Sequence, residues 1–277
     1  MRHSIRITGA LALAAAICSC QSPIRENRSG CPAILYFEFL DRQGIGSAEQ
    51  MYLEASPVLG GEGRVTDTTT VGAVSDRSYF LQVRRSDIIS IYGMACFGNS
   101  RIEKGCDWVV DSQQDGDRLF RFSARAEGME ESAVIPVEMT KEHSVIRVKF
   151  VHFDRRKAQG RFPFRVVVSS QTCGIDLHSG LPVTGPYRYA PPEKEAGEFE
   201  FTVPRQADRS LTLELWDSDT DEPEDSLVLW GLLKQVEGFS WEMKNLPDFS
   251  LEVDYASSEI SLSVCDWQNE TAINYAI

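Results

Sequence analysis

Hydrophobic and polar residues alternate along most of this chain with the two-residue period of a β-strand. The clearest stretch, 145–153, places Arg147, Lys149 and His152 between apolar neighbours. In a strand this spacing puts apolar side chains on one face and polar side chains on the other. Further strands are predicted at 33–40, 79–84, 88–97, 119–124, 164–169, 199–203, 211–216, 227–233, 251–255 and 260–264. One short helix is predicted at 47–55, and the many short strands indicate an all-β protein made of sandwiches.

The chain divides into segments of different composition. Residues 20–30 are polar and turn-prone, which is typical of a tether. Residues 136–141 form a predicted connector, and the strong strand after it opens a second set of strands. We therefore expect an N-terminal β-sandwich domain at 31–141 and a C-terminal β-sandwich domain at 142–277.

The N-terminus has the pattern of a secretory signal peptide. Two arginines precede an apolar run at 7–17, which is shorter than the roughly 20 residues that span a bilayer. The Ile-Cys-Ser-Cys tetrad at 17–20 is similar to a bacterial lipobox. We predict removal of residues 1–19 and acylation of Cys20, with palmitate among the acyl chains that hold the protein on a membrane. An ordinary cleaved signal with an incidental cysteine remains the alternative.

The chain is acidic, with 28 Lys and Arg, 41 Asp and Glu and a formal net charge of −13. Residues 1–19 contain two arginines and no acid, so their removal changes the charge to −15. Nucleic acid and adsorption to anionic lipid both require a basic patch, and this balance argues against both.

Cysteines beyond the predicted cleavage site and Cys20 number five, at positions 31, 96, 106, 173 and 265. Their spacing matches no metal motif. Only Cys96 and Cys106 are close in sequence, and the Gly98-Asn99 and Lys104-Gly105 turn signals between them favour a hairpin. An exported protein can oxidise such a pair, so a Cys96–Cys106 disulfide and two free thiols both stay open.

No motif for catalysis or a cofactor is present in the sequence. The four histidines form no HExxH pair, and no GxSxG, phosphate-binding loop or dinucleotide glycine pattern occurs. We therefore predict a protein without enzymatic activity and without a cofactor. His152 is interpreted as a structural histidine.

An acidic run at 217–225 resembles the start of a calcium loop, with Asp217, Asp219 and Asp221 at alternate positions. Glu222 stands where the loop requires Gly, and Val228 stands where it requires a bidentate Glu. A solvated hairpin tip is the favoured interpretation, with calcium binding as the alternative.

Four of the five tryptophans lie in the C-terminal half, at positions 216, 230, 241 and 267. Aromatic side chains at strand positions usually belong to a core, although an exposed set would form a sugar-binding platform. The even spread of these residues favours the core.

Several segments resemble one known family. They are Cys31-Pro32, 136–139 with 144–148, 174–183 with 189–191, 238–241, 245–255, and 260–264 with Trp267. Together they are similar to the lipid-anchored anchor subunits of Bacteroidia fimbriae (type V pili). The segment 41–44 is shorter than the corresponding stretch of that family, and Cys265 is a further departure.

The resemblance implies two tandem transthyretin-like Greek-key β-sandwiches. It also implies an outer-membrane lipoprotein at the fimbrium base that joins a fimbrial shaft subunit by strand exchange and limits fimbrial length. A surface glycan-binding lipoprotein of a polysaccharide-uptake system is the alternative function.

The C-terminal residues 272–277 alternate, with Ile273, Tyr275 and Ile277 on one predicted face. An unpaired strand here would suit insertion along the sheet of another subunit, because an open strand edge is a template for pairing. A frayed terminus is the alternative.

Overall fold

The computed structural model describes residues 31–58, 63–85, 88–103, 105–127, 131–153, 162–217, 222–257, 259–266 and 269–276. The predicted signal peptide and Cys20 lie outside these residues. In the described part of the chain, neither helix approaches the length and apolarity required to cross a membrane.

The protein is all-β. Its strands are β1 (Pro32–Asp41), β2 (Gln50–Pro57), β3 (Val65–Thr70), β4 (Phe80–Arg84), β5 (Ile89–Ala95), β6 (Ser100–Glu103), β7 (Asp107–Val110), β8 (Phe120–Ala126), β9 (Ser132–Glu138), β10 (Thr140–Lys141), β11 (His143–Val151), β12 (Phe164–Asp176), β13 (Pro182–Tyr189), β14 (Glu193–Glu195), β15 (Glu198–Pro204), β16 (Thr212–Asp217), β17 (Pro223–Leu227), β18 (Asp248–Asp254), β19 (Glu259–Asp266) and β20 (Asn269–Ala276). The short helices are α1 (Val71–Ser75) and α2 (Leu229–Leu233).

The N-terminal strands form two sheets that enclose one core. Sheet 1 has the order β4-β1-β9, and sheet 2 has the order β10-β8-β5-β2-β3. Alternate residues of β1, including Leu35 and Phe37, point into the space between the sheets and are 0% and 2% exposed. They pack with Leu53, Ile91 and Phe122 of sheet 2. The alternation in β1 therefore reflects a strand with one buried face.

The C-terminal strands form a second sandwich. Sheet 3 has the order β14-β15-β11-β18-β19-β20, and sheet 4 has the order β17-β16-β12-β7-β6 with β13 also paired to β12. Apolar residues such as Ile146, Val168, Phe201 and Phe249 fill the space between these sheets.

One hairpin crosses between the two halves of the chain. Strands β6 and β7 precede residue 141, yet β7 pairs with β12, and Trp108 is the partner of Ile175. Gly174 permits this close approach, because a Cβ there would lie 1.9 Å from Trp108 O. Trp108 packs with Tyr52 and Leu177 in a small core that joins the halves.

The helix predicted at 47–55 is wrong. Residues 51–55 are all buried, because Met51, Leu53 and Ala55 face the core between sheets 1 and 2 and Tyr52 faces the Trp108 core on the other side of β2. A strand whose two faces are both covered is apolar without alternation, so its sequence cannot be distinguished by period from a buried helix.

Two other local predictions also need correction. The end of the predicted strand 227–233 is α2, in which Leu229, Leu232 and Leu233 share the buried side at helical spacing. The predicted connector contains the end of β9, which runs parallel to β1.

Candidate functional site

The C-terminal segment is the first candidate site, because it forms an exposed sheet edge. Strand β20 pairs with β19 of the same chain, where Ile273 lies opposite Val264 and Tyr275 opposite Leu262. The expectation of an unpaired strand is therefore wrong for Ile273 and Tyr275, and Ile277 lies outside the described residues. Among the described strands, none pairs with the outer edge of β20. That edge offers main-chain donors and acceptors to an added strand.

A groove of about 480 Å³ opens between sheets 3 and 4 and reaches β19, the strand that pairs with β20. Its walls include apolar residues of four strands, Phe150, Leu213, Leu215, Val253 and Ile260. Two aspartates, Asp225 and Asp254, also line it. Ile260 belongs to β19, the strand that carries β20. An added strand could therefore combine main-chain pairing at the edge with apolar burial nearby.

Buried ion pairs hold the end of the connector at Lys141 and the residue that follows it, Glu142. The Glu142 side chain is 2% exposed and accepts hydrogen bonds from Arg205 Nε at 2.7 Å and Arg121 Nε at 3.3 Å. Arg205 also donates to the carbonyl oxygen of Trp241. Lys141 Nζ lies 2.6 Å from Asp248 Oδ1. Each charge has an opposite partner, which compensates its loss of hydration.

A polar cavity of about 570 Å³ lies beside this connector. Asp117 and Gln43 line it and are 7% and 8% exposed. Asp117 Oδ1 accepts hydrogen bonds from the backbone N–H groups of Gly98 and Asn99, whereas Asp117 Oδ2 and Gln43 Oε1 have no protein partner. Burial raises the pKa of the neighbouring Asp115 carboxyl. Unpaired buried acceptors are uncommon in native proteins and often mark a site for a donor.

The two cysteines of the predicted hairpin are both free in the structure. Strands β6 and β7 do pair as an antiparallel hairpin, but Cys106 Sγ donates to Asp176 Oδ2 at 2.9 Å. This hydrogen bond, together with burial, raises the pKa of Cys106 to about 11. Burial raises the pKa of Cys96 to about 12. Both thiols are therefore protonated at neutral pH and are poor nucleophiles.

The calcium prediction falls mostly on residues outside the described ranges. Asp219 and Asp221 are not described, while Asp217 ends β16 and its N–H donates to Glu222 O at 2.9 Å. Elsewhere, the ligand atoms of Cys106, Asp107 and Asp176 lie within 4.8 Å of one another. Within this cluster the Cys106 thiol donates a hydrogen bond to Asp176 Oδ2.

The three described histidines have structural partners. His143 is buried, which lowers its pKa to about 3, and its Nδ1 lies 3.0 Å from Leu119 O. His152 Nδ1 lies 2.9 Å from Asp254 Oδ2, and this hydrogen bond lowers the pKa of Asp254. His178 Nε2 lies 2.9 Å from Glu54 Oε1 across the two halves.

The described tryptophans do not form an exposed platform. Trp241 is buried. Trp216 is half-buried, and the guanidinium carbons of Arg165 and Arg188 lie 5.4 and 4.7 Å from its ring centroid. Trp230 is covered in the same way by Arg209 and Lys234. The cations occupy the ring faces on which a sugar would stack. Trp267 lies outside the described residues.

Comparison with solved structures identifies several proteins of the same fold. The fimbrial anchor protein Mfa2 of Porphyromonas gingivalis has a TM-score of 0.62 and 11% identity, over 88% of this chain and 99% of that chain. A Bacteroides thetaiotaomicron protein (DUF1812) described as polysaccharide-binding has a TM-score of 0.62 and 10% identity, over 89% and 98% of the two chains. A Bacteroides ovatus protein described as an adhesin has a TM-score of 0.58 and 10% identity, over 90% and 97%.

No protein-family model matches the sequence, and no curated protein sequence matches it. At identities near 10%, the solved structures establish a common fold. The resemblance seen in the sequence is thus confirmed as far as the all-β sandwich fold, and the tandem transthyretin-like arrangement stays a prediction. The residues that carry it are spread over many strands, and the long-range pairings that place them became visible only in the structure.

Proposed function

We propose that this protein is an outer-membrane lipoprotein that attaches the base of a fimbria to the cell and limits its length. The observation that carries the proposal is the open edge of β20, in a chain that shares its fold with the fimbrial anchor Mfa2. Acyl chains on Cys20 supply the membrane attachment, and a strand of the first shaft subunit adds to the β20 edge. Main-chain hydrogen bonds supply affinity for such a strand, and the groove beside β19 adds selectivity.

The buried connector fits this role because an anchor must transmit tension from the shaft to the membrane. Tension enters through β20 in sheet 3 and leaves through the tether that precedes β1 in sheet 1. The path crosses the Glu142 ion pairs and the core around Trp108. A strand that occupies the terminal edge also removes that edge from further assembly, which supports a role in limiting length.

Removal of residues 273–277 tests the attachment step. We expect a folded and acylated protein that no longer retains fimbriae at the cell, because half of the edge strand β20 is lost. Fimbriae in the cell-bound and released fractions are measured by immunoblot of the shaft protein.

A matched pair of proline variants controls for nonspecific damage. Asn274→Pro lies in β20, and Thr68→Pro lies in β3, the outer strand of sheet 2. Proline is tolerated best in edge strands and hinders their pairing with a new strand. Loss of retention should follow Asn274→Pro alone. Retention equal to the parent in both β20 variants would refute pairing through this edge.

Glycan binding is the second candidate function, and the polar cavity at the connector is the observation that favours it. Its unpaired acceptors Asp117 Oδ2 and Gln43 Oε1 suit sugar hydroxyls, whereas the covered tryptophans offer no stacking surface. The fold is shared with a protein described as polysaccharide-binding.

Isothermal titration with a panel of neutral oligosaccharides tests this candidate. Under the glycan hypothesis, Asp117→Asn should weaken binding by about tenfold, as expected for loss of a hydrogen bond to a charged acceptor. The exposed Asp208→Asn should bind like the parent. Absence of heat with every sugar would exclude the panel as ligands and leave the anchor proposal unaffected.

A further inference from the structure

Sheet 1 carries a row of exposed apolar side chains across all three of its strands. In the sheet register, Tyr36 of β1 lies opposite Phe80 of β4 on one side and Val134 of β9 on the other. These side chains are 37%, 51% and 61% exposed. The rings of Tyr36 and Phe80 are 6.3 Å apart and inclined at 56°, so they do not form a coplanar platform for a sugar.

The row belongs to a larger outward-facing surface, which we call the outer face of sheet 1. It also includes Ile34, which is half-buried, and Pro136 and Leu40, which are exposed. Intervening positions of the same strands face the core. Other exposed apolar residues, such as Leu181 and Val228, occur in connections between strands. A contiguous apolar patch of this kind on a soluble domain commonly marks an interaction surface.

The charges on this face are balanced, although the chain as a whole has a net charge of −13. Three carboxylates occupy outward positions: Glu38 pairs with Arg77, Glu138 pairs with Lys244, and Asp41, opposite Glu138 in the register, accepts hydrogen bonds from Gln43. Arg84, at an exposed position of β4, adds a positive charge. The outer face therefore lacks the excess of negative charge that would repel a phospholipid headgroup.

The place where the chain enters sheet 1 indicates what lies against this face. The central strand β1 begins at Pro32, twelve residues after Cys20. An extended chain spans about 3.5 Å per residue, so this tether reaches at most about 40 Å. Acyl chains on Cys20 would thus keep sheet 1 close to the bilayer at all times, at a high effective concentration of lipid.

We propose that the outer face of sheet 1, centred on Phe80, Tyr36 and Val134, rests on the phospholipid surface in which the Cys20 acyl chains are embedded. This inference depends on the proposed acylation. Phenylalanine and tyrosine suit the boundary between headgroups and acyl chains, because they combine apolar area with, in tyrosine, a polar end. The tether prevents escape, and the sheet face sets the orientation of the protein on the membrane.

Depth-dependent fluorescence quenching tests the contact. The full-length acylated protein, in a Cys31→Ser background, is labelled with bimane at Val134→Cys and reconstituted in phosphatidylcholine vesicles that contain a nitroxide lipid. Leu181→Cys is the matched control, because Leu181 is 65% exposed and Val134 is 61% exposed. We expect the nitroxide lipid to quench bimane several-fold more strongly at position 134 than at position 181. Aqueous iodide should quench it more weakly at position 134 than at position 181.

Three results separate the proposals. Incorporation of a fatty-acid probe at Cys20 reports acylation independently, so its absence contradicts the proposed function. If acylation is normal and the nitroxide lipid quenches positions 134 and 181 equally, the proposed membrane contact of sheet 1 is refuted and the proposed function is unaffected. Protection of position 134 from both quenchers also overturns this contact, and indicates that a protein surface, such as a second copy, covers the face.

A charge-insertion variant provides a second measurement. Phe80→Asp places a carboxylate at an exposed position, where folding should tolerate it. Attachment through the acyl chains should persist, while lipid quenching at position 134 falls to the level at 181. Unchanged quenching in this variant would contradict contact through the outer face.

Discussion

Substitution of Cys20 by Ala is expected to release the protein, and the fimbriae that it holds, from the outer membrane. The thiol of Cys20 is the predicted site of lipid attachment, and the alanine side chain cannot form that bond. Each buried CH₂ of an acyl chain contributes about 0.8 kcal/mol, and stable anchoring needs more than one chain. Membrane and soluble fractions, together with fatty-acid labelling, provide the measurement.

Cys18→Ala is the matched control for this experiment. It removes a thiol two residues away and leaves the predicted attachment site and its small neighbour in place. The control should label and fractionate like the parent. Persistent label in the Cys20 variant would refute the lipobox assignment.

Replacement of Glu142 by Ala is expected to lower the free energy of unfolding by about 3–5 kcal/mol, the range for removal of one partner from a buried ion pair. The Arg205 and Arg121 side chains, which are 10% and 14% exposed, would keep their charges without the carboxylate. Because typical domains are stable by only about 5–15 kcal/mol, this loss is large. Chemical denaturation of the purified protein, followed by circular dichroism and tryptophan fluorescence, measures it.

Glu138→Ala is the matched control, because it removes a nearby carboxylate that is exposed to solvent. Its partner is Lys244, and both side chains are more than half exposed. Exposed pairs contribute about 0–1 kcal/mol, so this variant should unfold close to the parent. Equal effects of the two substitutions would show that the Glu142 pairs do not stabilise the connector.

The same comparison reports on how the halves are joined. Glu142→Ala removes the side-chain ion pairs with Arg205 and Arg121, while the backbone hydrogen bond from Arg205 N–H to Glu142 O and the core around Trp108 remain. If both contacts are needed for cooperativity, fluorescence and circular dichroism will give separate transitions in the variant and one transition in the parent.

The sequence is enough to predict which segments form strands with one buried face. In β11 the alternation of Arg147 and Lys149 with apolar neighbours determines a strand with one buried face, and the structure contains that strand at His143–Val151. The all-β class follows from the same signal repeated along the chain. The N-terminal pattern that ends at Cys20 is likewise a local signal, and the acylation that it predicts is tested by the first experiment above.

Other features depend on contacts between distant residues. Residues 51–55 form the buried strand β2 because the core between sheets 1 and 2 covers one of its faces and the Trp108 core covers the other. The hairpin β6–β7 joins sheet 4 through Trp108 and Ile175, which are far apart in the chain. The C-terminal segment became the paired edge strand β20 because β19 offered it a partner. The polar cavity beside the connector is a further case. Asp117 Oδ2 and Gln43 Oε1 lack a hydrogen-bond partner there because the tertiary structure buries them away from water.

The physical reason for this division is the range of each interaction. Side-chain alternation and signal-peptide chemistry act over a few residues, so the sequence by itself determined the strand-rich class and the predicted lipid site. Register, sheet order and the choice of exposed face depend on which strands meet, and any alternating strand can pair with many others. Only the tertiary structure therefore decided that Tyr36, Phe80 and Val134 form one row, and that Glu142 lies between two arginines.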